Sequence, residues 1–235
     1  HFVCIHEDIT REYELNQQLS YEATHDRLTK LINRGEFERR ALRLVESVVG
    51  NDDEHAMCFM DMDQFKIINN NGGHSAGDEL LRQVGSLLKT VTRKRDTVAR
   101  LGGDEFAVLM EHCTIEQAHR VANDILNAIQ DFTFIWEDRS FKLGISIGLV
   151  KIDQNITRLE QLMKQADTAC YMAKDLGRNR IHIYYTHDTE IAMREGEMQW
   201  VERLYRALEQ DQFCFYAQPI MKTSTGVIDH YEILI

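Results

Sequence analysis

The 235-residue chain has one proline, Pro219, and no stretch that approaches the roughly 18 apolar residues of a membrane span. It also lacks repeats, low-complexity tracts, a signal peptide and any C-x-x-C pair. Its five cysteines are widely spaced and odd in number, which is typical of buried apolar residues in a reducing cytoplasm. We therefore expect a cytoplasmic protein. Because the first residue is His1 and not Met, membrane anchoring of a longer parent protein stays open.

Basic charge is scarce as well. The chain carries 27 Lys and Arg against 38 Asp and Glu, a formal net charge of −11, and no segment forms a basic stripe. The surface as a whole therefore repels nucleic acid, and we expect no nucleic-acid partner. A phosphorylated ligand would need a few local cations, or metal ions held by carboxylates. With 43% hydrophobic and 28% charged residues, the composition is that of a soluble globular protein.

The order of the apolar patterns predicts an α/β fold. Residues 2–7 resemble the end of a strand, and Asp8-Ile9-Thr10 predicts the cap of a helix that runs to about Ala23. Helices are then expected near 35–49, 76–91, 115–130 and 157–175, and strands near 56–61, 97–101, 105–110, 133–137, 140–151 and 181–185. A helix near 187–209 and a strand near 213–217 follow. This order predicts a partly antiparallel sheet with helices packed against it.

The most informative segment is Gly102-Gly103-Asp104-Glu105-Phe106. Two glycines between a β-prone approach and an apolar exit predict a tight hairpin. Glycine also leaves room for the phosphates of a ligand to come close. Two carboxylates follow at once, which a hairpin does not require. The segment therefore favours a metal–nucleotide site, with a plain turn as the alternative when it is taken alone.

A second pair of acids, Asp61 and Asp63, follows the apolar run 57–60. Alternation along a strand places both on one side, at the carboxyl end where α/β sheets bind ligands. Mg²⁺ commonly uses one or two carboxylates plus phosphate oxygens, so Asp61 beside Asp104 predicts a metal clamp. For Asp63 we favour the alternative that it caps the next turn.

The stretch 64–79 is rich in groups that can read a base. An amide such as Asn69 and a carboxylate such as Asp78 can hydrogen-bond the edge of guanine, with the acid accepting from the N1 and N2 donors. The same stretch also suits ordinary turn chemistry, with Asn-Gly-Gly as the turn and Ser75 as a helix cap. The spacing alone leaves both interpretations open.

Three motifs occur in the order and at the spacing of a known family: Asp61-x-Asp63-x-Phe65-Lys66-x-x-Asn69, Gly73-His74-x-x-Gly77-Asp78 and Gly102-Gly103-Asp104-Glu105-Phe106. The chain resembles the GGDEF family of diguanylate cyclases, which join two GTP molecules into cyclic di-GMP. The resemblance covers about residues 22–185. It includes the opening segment His25-Asp26-x-Leu28-Thr29-x-Leu31-x-Asn33-Arg34, Ser146-Ile147-Gly148, and Ala166-Asp167 before Tyr171-x-x-Lys174. It implies a palm-like nucleotidyl-cyclase fold, α/β, with a central, mostly antiparallel sheet flanked by helices.

The resemblance also implies catalytic and metal-binding roles. Asp61 and Asp104 would be the catalytic residues and would hold Mg²⁺ (or Mn²⁺). The backbone carbonyl of Met62 would help them, and Glu105 would be a further ligand. Asp104 is also expected to assist deprotonation of the attacking 3′-hydroxyl.

Substrate contacts follow from the same resemblance. Asn69 and Asp78 would read guanine, and His74 is expected to order the loop between them. The phosphates would be lined by Phe65, Lys66, Lys174 and Arg178. For two of these the residues alone offer alternatives: Lys174 is also suited to a helix C-terminus capped by Gly177, and Arg178 to an ordinary surface position.

The segment Arg93-Lys94-Arg95-Asp96 matches the R-x-x-D pattern of the family, five residues before the hairpin glycines. It predicts inhibition by the product cyclic di-GMP at Arg93 and Asp96, where an arginine fork can grip guanine or phosphate. A solvated charged turn is the alternative. Asp124 stands nearer than Arg120 to the position of the family's second arginine, which speaks against inhibition by cross-linking a dimer.

The ends of the chain resemble further modules. Residues 1–10 resemble the tail of a PAS sensor and 11–24 a linker helix, 25–185 would form the GGDEF domain, and 186–235 resemble the N-terminal fragment of an EAL phosphodiesterase domain. Glu232 would be one metal ligand there, but its partners are missing, so hydrolysis of cyclic di-GMP is not expected from this chain.

The predicted function is condensation of two GTP into cyclic di-GMP, with release of two pyrophosphates. Two domains of a homodimer would face each other, so that each 3′-hydroxyl attacks the α-phosphate held by the other. The alternative is a non-catalytic module that binds GTP or cyclic di-GMP and controls a downstream EAL domain.

Overall fold

The computed structural model describes residues 10–51, 53–185, 216–221 and 228–234. The chain divides into two compact units, His1–Tyr185 and Thr186–Ile235. The helices of the first unit are α1 Thr10–Thr24, α2 Arg34–Ser47, α3 Phe65–Val91, α4 Ile115–Asp131 and α5 Leu159–Asp175. Its strands are β1 His55–Asp63, β2 Thr97–Gly102, β3 Glu105–Met110, β4 Thr133–Trp136, β5 Arg139–Lys142, β6 Gly144–Ile152 and β7 Ile181–Ile183. In the second unit, β8 Tyr216–Met221 pairs antiparallel with β9 Ile228–Leu234.

The central sheet has the strand order β2-β3-β1-β6-β7, and all its pairs are antiparallel except β6 with β7. The run 57–60 lies in β1, the central strand of this sheet. It is apolar on both sides because helices cover both faces of the sheet. Side chains alternate between two layers of core: Cys58 and Met60 face the layer with α3 and α4, and Met57 and Phe59 face the layer with α2 and α5. The predicted α/β fold, with a mostly antiparallel sheet flanked by helices, is confirmed.

Helix α3 begins at Phe65, about ten residues before the start predicted near residue 76. The sequence predicts no helix over 65–75 and leaves base reading and turn chemistry open there, and Asn-Asn-Asn-Gly-Gly has low helix propensity. Ile68 is buried in the core and Phe65 packs against it, so tertiary packing overrides the local preference. At Gly73, with φ 73° and ψ 174°, the helical geometry breaks and divides α3 into two half-helices.

The strand expected over 140–151 is two strands. Strand β5 pairs with β4 in a separate two-stranded sheet, and β6 joins the central sheet. Leu143 separates the two strands. Its side chain is buried, so the chain stays attached to the core where it changes direction. The other predicted helices and strands of residues 25–185 are confirmed to within a few residues.

Helix α1 is hydrogen-bonded to the rest of the first unit through Asn33. The amide Nδ2 of Asn33 donates to the carbonyl of Ala23 at 2.9 Å, and its backbone N–H donates to that of Thr24 at 3.0 Å. Its side chain also accepts from the backbone N–H of Glu36 and so caps α2. Among the residues that the structure describes, no helix combines the length and the apolar character needed to cross a membrane.

The predictions for both ends of the chain fall largely outside the described residues. This applies to the strand at 2–7, to the helix near 187–209 and to residues 213–215 of the last predicted strand. The PAS-like and EAL-like assignments therefore stay predictions.

Candidate active site

Of the two acids expected to hold a metal, Asp61 lies near the end of β1 and Asp104 lies in the turn between β2 and β3. Asp61 of β1 is paired with Glu105 of β3 on one side and with Ser146 of β6 on the other. The backbone N–H of Met62 donates to the carbonyl of Asp104 at 3.3 Å, which fixes the hairpin beside the end of β1. The glycine hairpin and the acidic end of β1 therefore form one site.

Lysine 174 supplies positive charge to this site. Its Nζ lies 2.7 Å from Oδ2 of Asp61, and the Lys174 side chain comes from the last turn of α5. Burial raises the pKa of Asp61; Lys174 opposes this, and the charges of Asp104 and Asp63 add to it. The site thus holds more carboxylates than this single cation balances.

The neighbouring carboxylate shows the same crowding. Burial raises the pKa of Glu105, and the charges of Asp61, Asp104 and Asp167 raise it further, while Arg34 works in the opposite direction. Like charges held close together disfavour ionisation of each other. A divalent cation bound here would relieve that repulsion.

The donor set fits a hard cation. Asp61, Asp104 and the carbonyl of Met62 offer only oxygen atoms, the ligands that suit Mg²⁺ and Mn²⁺. Within the described ranges, no group of three or more His, Cys, Asp or Glu side chains converges to hold a metal.

Asp63 has a structural role. The hydroxyl of Ser146 donates to its Oδ1 at 2.7 Å, and the backbone N–H of Asn179 donates to its Oδ2 at 2.9 Å. A Cβ at Gly144, the partner of Asp63 on β6, would lie 2.8 Å from that Oδ2, so glycine provides the space. Asp63 therefore anchors the loop after α5. The prediction that it caps the next turn along the chain is wrong.

The two expected guanine readers lie on different halves of α3. Asn69 is on the first half, and its side chain rests against Gly77, where any Cβ would overlap Oδ1 of Asn69 and come within 3.0 Å of the ring of Phe65. Gly77 therefore allows Asn69 to lie against the second half, one residue from Asp78. Asn69 is half-buried, while Asp78 and His74 are exposed.

The expected phosphate contacts are spread along the edge of the site. Lys174 reaches Asp61, and Lys66 is exposed in the first turn of α3. Helix α5 ends at Asp175, and Gly177, with φ 115°, follows its C-cap residue Leu176. The N–H of Arg178 donates to the carbonyl of Ala173 at 3.0 Å. Arg178 lies at a cavity of about 300 Å³ that Gln64, Lys142 and Gly144 also line.

Arg100 was given no role in the sequence analysis, yet it holds the hairpin. Its Nε and one terminal nitrogen donate to the carbonyl of Gly103 at 3.0 and 2.8 Å. The other terminal nitrogen contacts the carboxylate of Asp26 at 3.3 Å. Burial raises the pKa of Asp26, but hydrogen bonds from Thr29 and the charge of Arg100 outweigh it, so the net shift is downward. Arg100 and Asp26 are 74 positions apart in the chain, so no local sequence pattern could have predicted that they pair.

The R-x-x-D segment forms a tight turn. The backbone N–H of Arg93 donates to Oδ2 of Asp96 at 3.0 Å, and the N–H of Asp96 donates to the carbonyl of Arg93 at 2.9 Å. Asp96 is half-buried and Arg93 is exposed. A cavity of about 280 Å³ adjoins this turn, and further cations line it: Lys30, Arg40, Lys89 and Lys94.

The family model of the GGDEF domain, described as a diguanylate cyclase domain, matches residues 23–180. The chain belongs to the GGDEF family. Among curated relatives, it is 38% identical over 218 residues to a probable diguanylate cyclase of Escherichia coli, DgcE, covering 93% of this chain and 20% of DgcE. It is 32% identical over 218 residues to the cyclic di-GMP phosphodiesterase PdeB of Shewanella oneidensis, covering 93% of this chain and 25% of PdeB. The chain thus spans a quarter or less of the length of these two relatives.

Solved GGDEF structures share the fold. The GGDEF domain of TpbB from Pseudomonas aeruginosa superposes with a TM-score of 0.67 at 33% identity, over 72% of this chain and 99% of that one. The coiled coil and GGDEF domain of DgcB from Caulobacter crescentus, solved in complex with cyclic di-GMP, gives a TM-score of 0.70 at 25% identity, over 75% and 93%.

Proposed function

We propose that this chain condenses two GTP molecules into cyclic di-GMP and releases two pyrophosphates. The observation that carries the proposal is the crowding of carboxylates at the end of β1, with Asp104 in the adjoining hairpin turn and Lys174 2.7 Å from Asp61. The glycine hairpin beside them leaves space for phosphates. Relatives named as diguanylate cyclases support the same activity.

Each residue of the site then has a defined task. Mg²⁺ or Mn²⁺ held by Asp61, Asp104 and the carbonyl of Met62 would neutralise phosphate charge and lower the pKa of the 3′-hydroxyl. Asp104 accepts the proton of that hydroxyl, with Glu105 available as a further ligand. Lys174 balances charge on Asp61 and on the phosphates.

Substrate contacts position the reacting atoms. Asn69 and Asp78 bind the edge of guanine, and His74 orders the segment between them. The triphosphate lies along the edge formed by Phe65, Lys66, Lys174 and Arg178. Each 3′-oxygen forms a bond to the α-phosphorus of the other GTP, and the bond from that phosphorus to the leaving pyrophosphate breaks.

The chemistry needs two half-sites, so we propose a homodimer. Each domain holds one GTP. In each new bond, the attacking 3′-oxygen and the α-phosphorus therefore come from different domains. Leu15 and Leu19 of α1 are 59% and 57% exposed, which supports pairing of the linker helix with a second copy.

The direct test is incubation of the chain with GTP and Mg²⁺ over a range of protein concentrations, with chromatographic separation of the nucleotides. We expect cyclic di-GMP to form with more than linear dependence on protein. Asp104→Ala should abolish synthesis at an unchanged melting temperature. A melting temperature that falls together with the activity would instead assign Asp104 a structural role.

Product inhibition through Arg93 and Asp96 is part of the same proposal. The cations around the adjoining cavity support binding of a phosphorylated ligand in a chain of net negative charge. Arg93→Ala should relieve inhibition by added cyclic di-GMP, whereas Arg95→Ala, an exposed arginine of the same turn, should not. Equal inhibition of both variants and the parent chain would refute the feedback site.

A regulatory module is the second candidate. It is favoured by the relatives named as cyclic di-GMP phosphodiesterases, PdeB and NbdA, which match more than nine-tenths of this chain. In that case a PAS-like segment would precede the domain and an EAL-like domain would follow it. Tight GTP binding without any product, even after fusion of a dimerising helix upstream, would support this function over catalysis.

A further inference from the structure

The kink of α3 determines how far apart the two guanine readers lie. Asn69 is on the half-helix before Gly73, and Asp78 is on the half-helix after it. Nothing lies within 4 Å of an ideal Cβ at Gly73, so the kink residue itself is not packed. The angle between the halves must therefore be held by neighbouring residues.

Gly72 is the point where three elements meet. An ideal Cβ at Gly72 would lie 2.5 Å from Cβ of Ala76 on the second half-helix, and 3.2 and 3.4 Å from Cδ1 and Nε1 of Trp136 on β4. The indole therefore packs directly on the backbone at the end of the first half-helix. Trp136 is in turn stacked with Phe134, a fully buried residue of the core, at 6.2 Å between ring centroids.

The adjoining strand supplies a hydrogen bond to the same place. Because the helix breaks at Gly73, the last carbonyls of the first half-helix lose their intrahelical partners. Arg139 of β5 donates from its guanidinium to the carbonyl of Asn71 at 3.3 Å. A cation at this position also interacts favourably with the negative end of the helix dipole.

We propose that the β4–β5 hairpin sets the guanine selectivity of the site, with Trp136 and Arg139 as positioning residues that hold the kink of α3. The inference rests on the proposed function, because it requires Asn69 and Asp78 to read guanine. Neither Trp136 nor Arg139 belongs to the family motifs of the sequence.

The test compares two nucleotides that bind but cannot react, 3′-deoxy-GTP and 3′-deoxy-ITP, which lack the attacking hydroxyl. Inosine has no exocyclic N2 amine and cannot make the full set of hydrogen bonds to Asp78. Trp136→Ala and Arg139→Gln should each weaken binding of 3′-deoxy-GTP about ten-fold, roughly the loss of one hydrogen bond to a charged group. Binding of 3′-deoxy-ITP should change less, so the preference for guanine falls.

Three further measurements separate positioning from general destabilisation. Ile135→Ala removes a side chain that is 68% exposed on the same strand, and it should leave both affinities unchanged. Trp136→Phe and Arg139→Lys should restore most of the selectivity. With GTP and Mg²⁺, the KM of the first two variants should rise while kcat stays within about two-fold, because the contacts of Trp136 and Arg139 described above are with α3 and Phe134.

Equal weakening of both nucleotides, or unchanged selectivity in both variants, would overturn the inference. If the unmodified chain bound 3′-deoxy-GTP no better than 3′-deoxy-ATP, guanine reading itself would be absent. That result would overturn the proposed function and the role of the hairpin with it. Selectivity retained by the unmodified chain and lost by the variants is the expected outcome.

Discussion

Replacement of Gly148 by alanine is expected to push α5 away from the central sheet. Gly148 lies on β6, and an ideal Cβ there would overlap the carbonyl oxygen of Ala166 and the backbone nitrogen of Cys170. It would also lie 2.9 Å from the carbonyl carbon of Ala169. All three atoms belong to the backbone of α5, so no side-chain rotation can relieve the overlap.

The magnitude follows from the kind of atom that must move. Overpacking of a core costs about 1–3 kcal/mol of the free energy of unfolding, and a backbone contact belongs at the upper end of that range. For a domain of this size, about 3 kcal/mol corresponds to a fall in melting temperature of roughly 6–12 °C. Because α5 carries Lys174, its displacement should also disturb the 2.7 Å contact with Asp61 and raise the KM for GTP.

The assay is thermal unfolding followed by far-UV circular dichroism, with Gly35→Ala as the matched control. Gly35 lies in the first turn of α2, and the nearest atom to an ideal Cβ there is Oδ1 of Asn33 at 3.8 Å, an ordinary contact. Alanine in a helix is favoured over glycine by about 0.5–1 kcal/mol, so the control should be as stable as the parent chain or more so. If Gly148→Ala melted within about 2 °C of the parent chain, the argument from close backbone packing would be wrong.

Two further predictions concern hydrogen bonds at the two ends of β1. Asp63→Ala should lower the free energy of unfolding by about 2 kcal/mol, since its carboxylate accepts from the hydroxyl of Ser146 and the N–H of Asn179. Asp63→Asn keeps an acceptor and should lose less in urea titrations; equal losses would contradict this account. His55 is 1% exposed, and its Nδ1 accepts from the N–H of His112 at 2.8 Å. Burial lowers the pKa of His55, and the charge of His112 lowers it further, so the unfolded chain binds the proton more readily. The free energy of unfolding should therefore be highest above pH 6.5, about the pKa of His55 in the unfolded chain. Below that pH it should decrease by at most about 1.4 kcal/mol per pH unit. His55→Asn should remove that slope, and an unchanged slope would show that other groups cause it.

Much of the fold could be predicted because its signals are local. The apolar run 57–60 predicts a buried strand, and the paired glycines at 102 and 103 predict a hairpin from their own conformational freedom. Thr114 caps α4 through its hydroxyl, which accepts from the N–H of Gln117 at 3.3 Å. Each of these features depends on residues that are neighbours in the chain.

The first half of α3 could not be predicted on the same basis. The local sequence has a low helix propensity. The helix forms because Ile68 is buried in the core of the same domain. The division of the predicted strand 140–151 has a similar origin, since the pairing of β5 with β4 depends on a partner that local alternation does not identify.

For the candidate site, the residue types and their order were available from the sequence, and the contacts were not. The motifs identified Asp61, Asp104 and Lys174 as site residues. Only the structure shows that Lys174 pairs with Asp61 and that Asp63 contacts Ser146 and the loop after α5. The sequence predicted a metal for Asp61 and a cap of the next turn for Asp63. The structure shows instead that Asp63 binds Ser146 of β6 and the backbone of Asn179, far along the chain.

By itself, the sequence determined the family, the strand and hairpin that carry the acids, and the chemical types of the groups that meet a nucleotide. These follow from side-chain period, glycine conformation and motif spacing, all of which act over short stretches of chain. Only the tertiary structure decided that Arg100 joins Asp26 to the hairpin, and that Trp136 and Arg139 support the kink of α3. Those contacts join residues about 60 to 75 positions apart, and their partners are chosen by how the whole core packs.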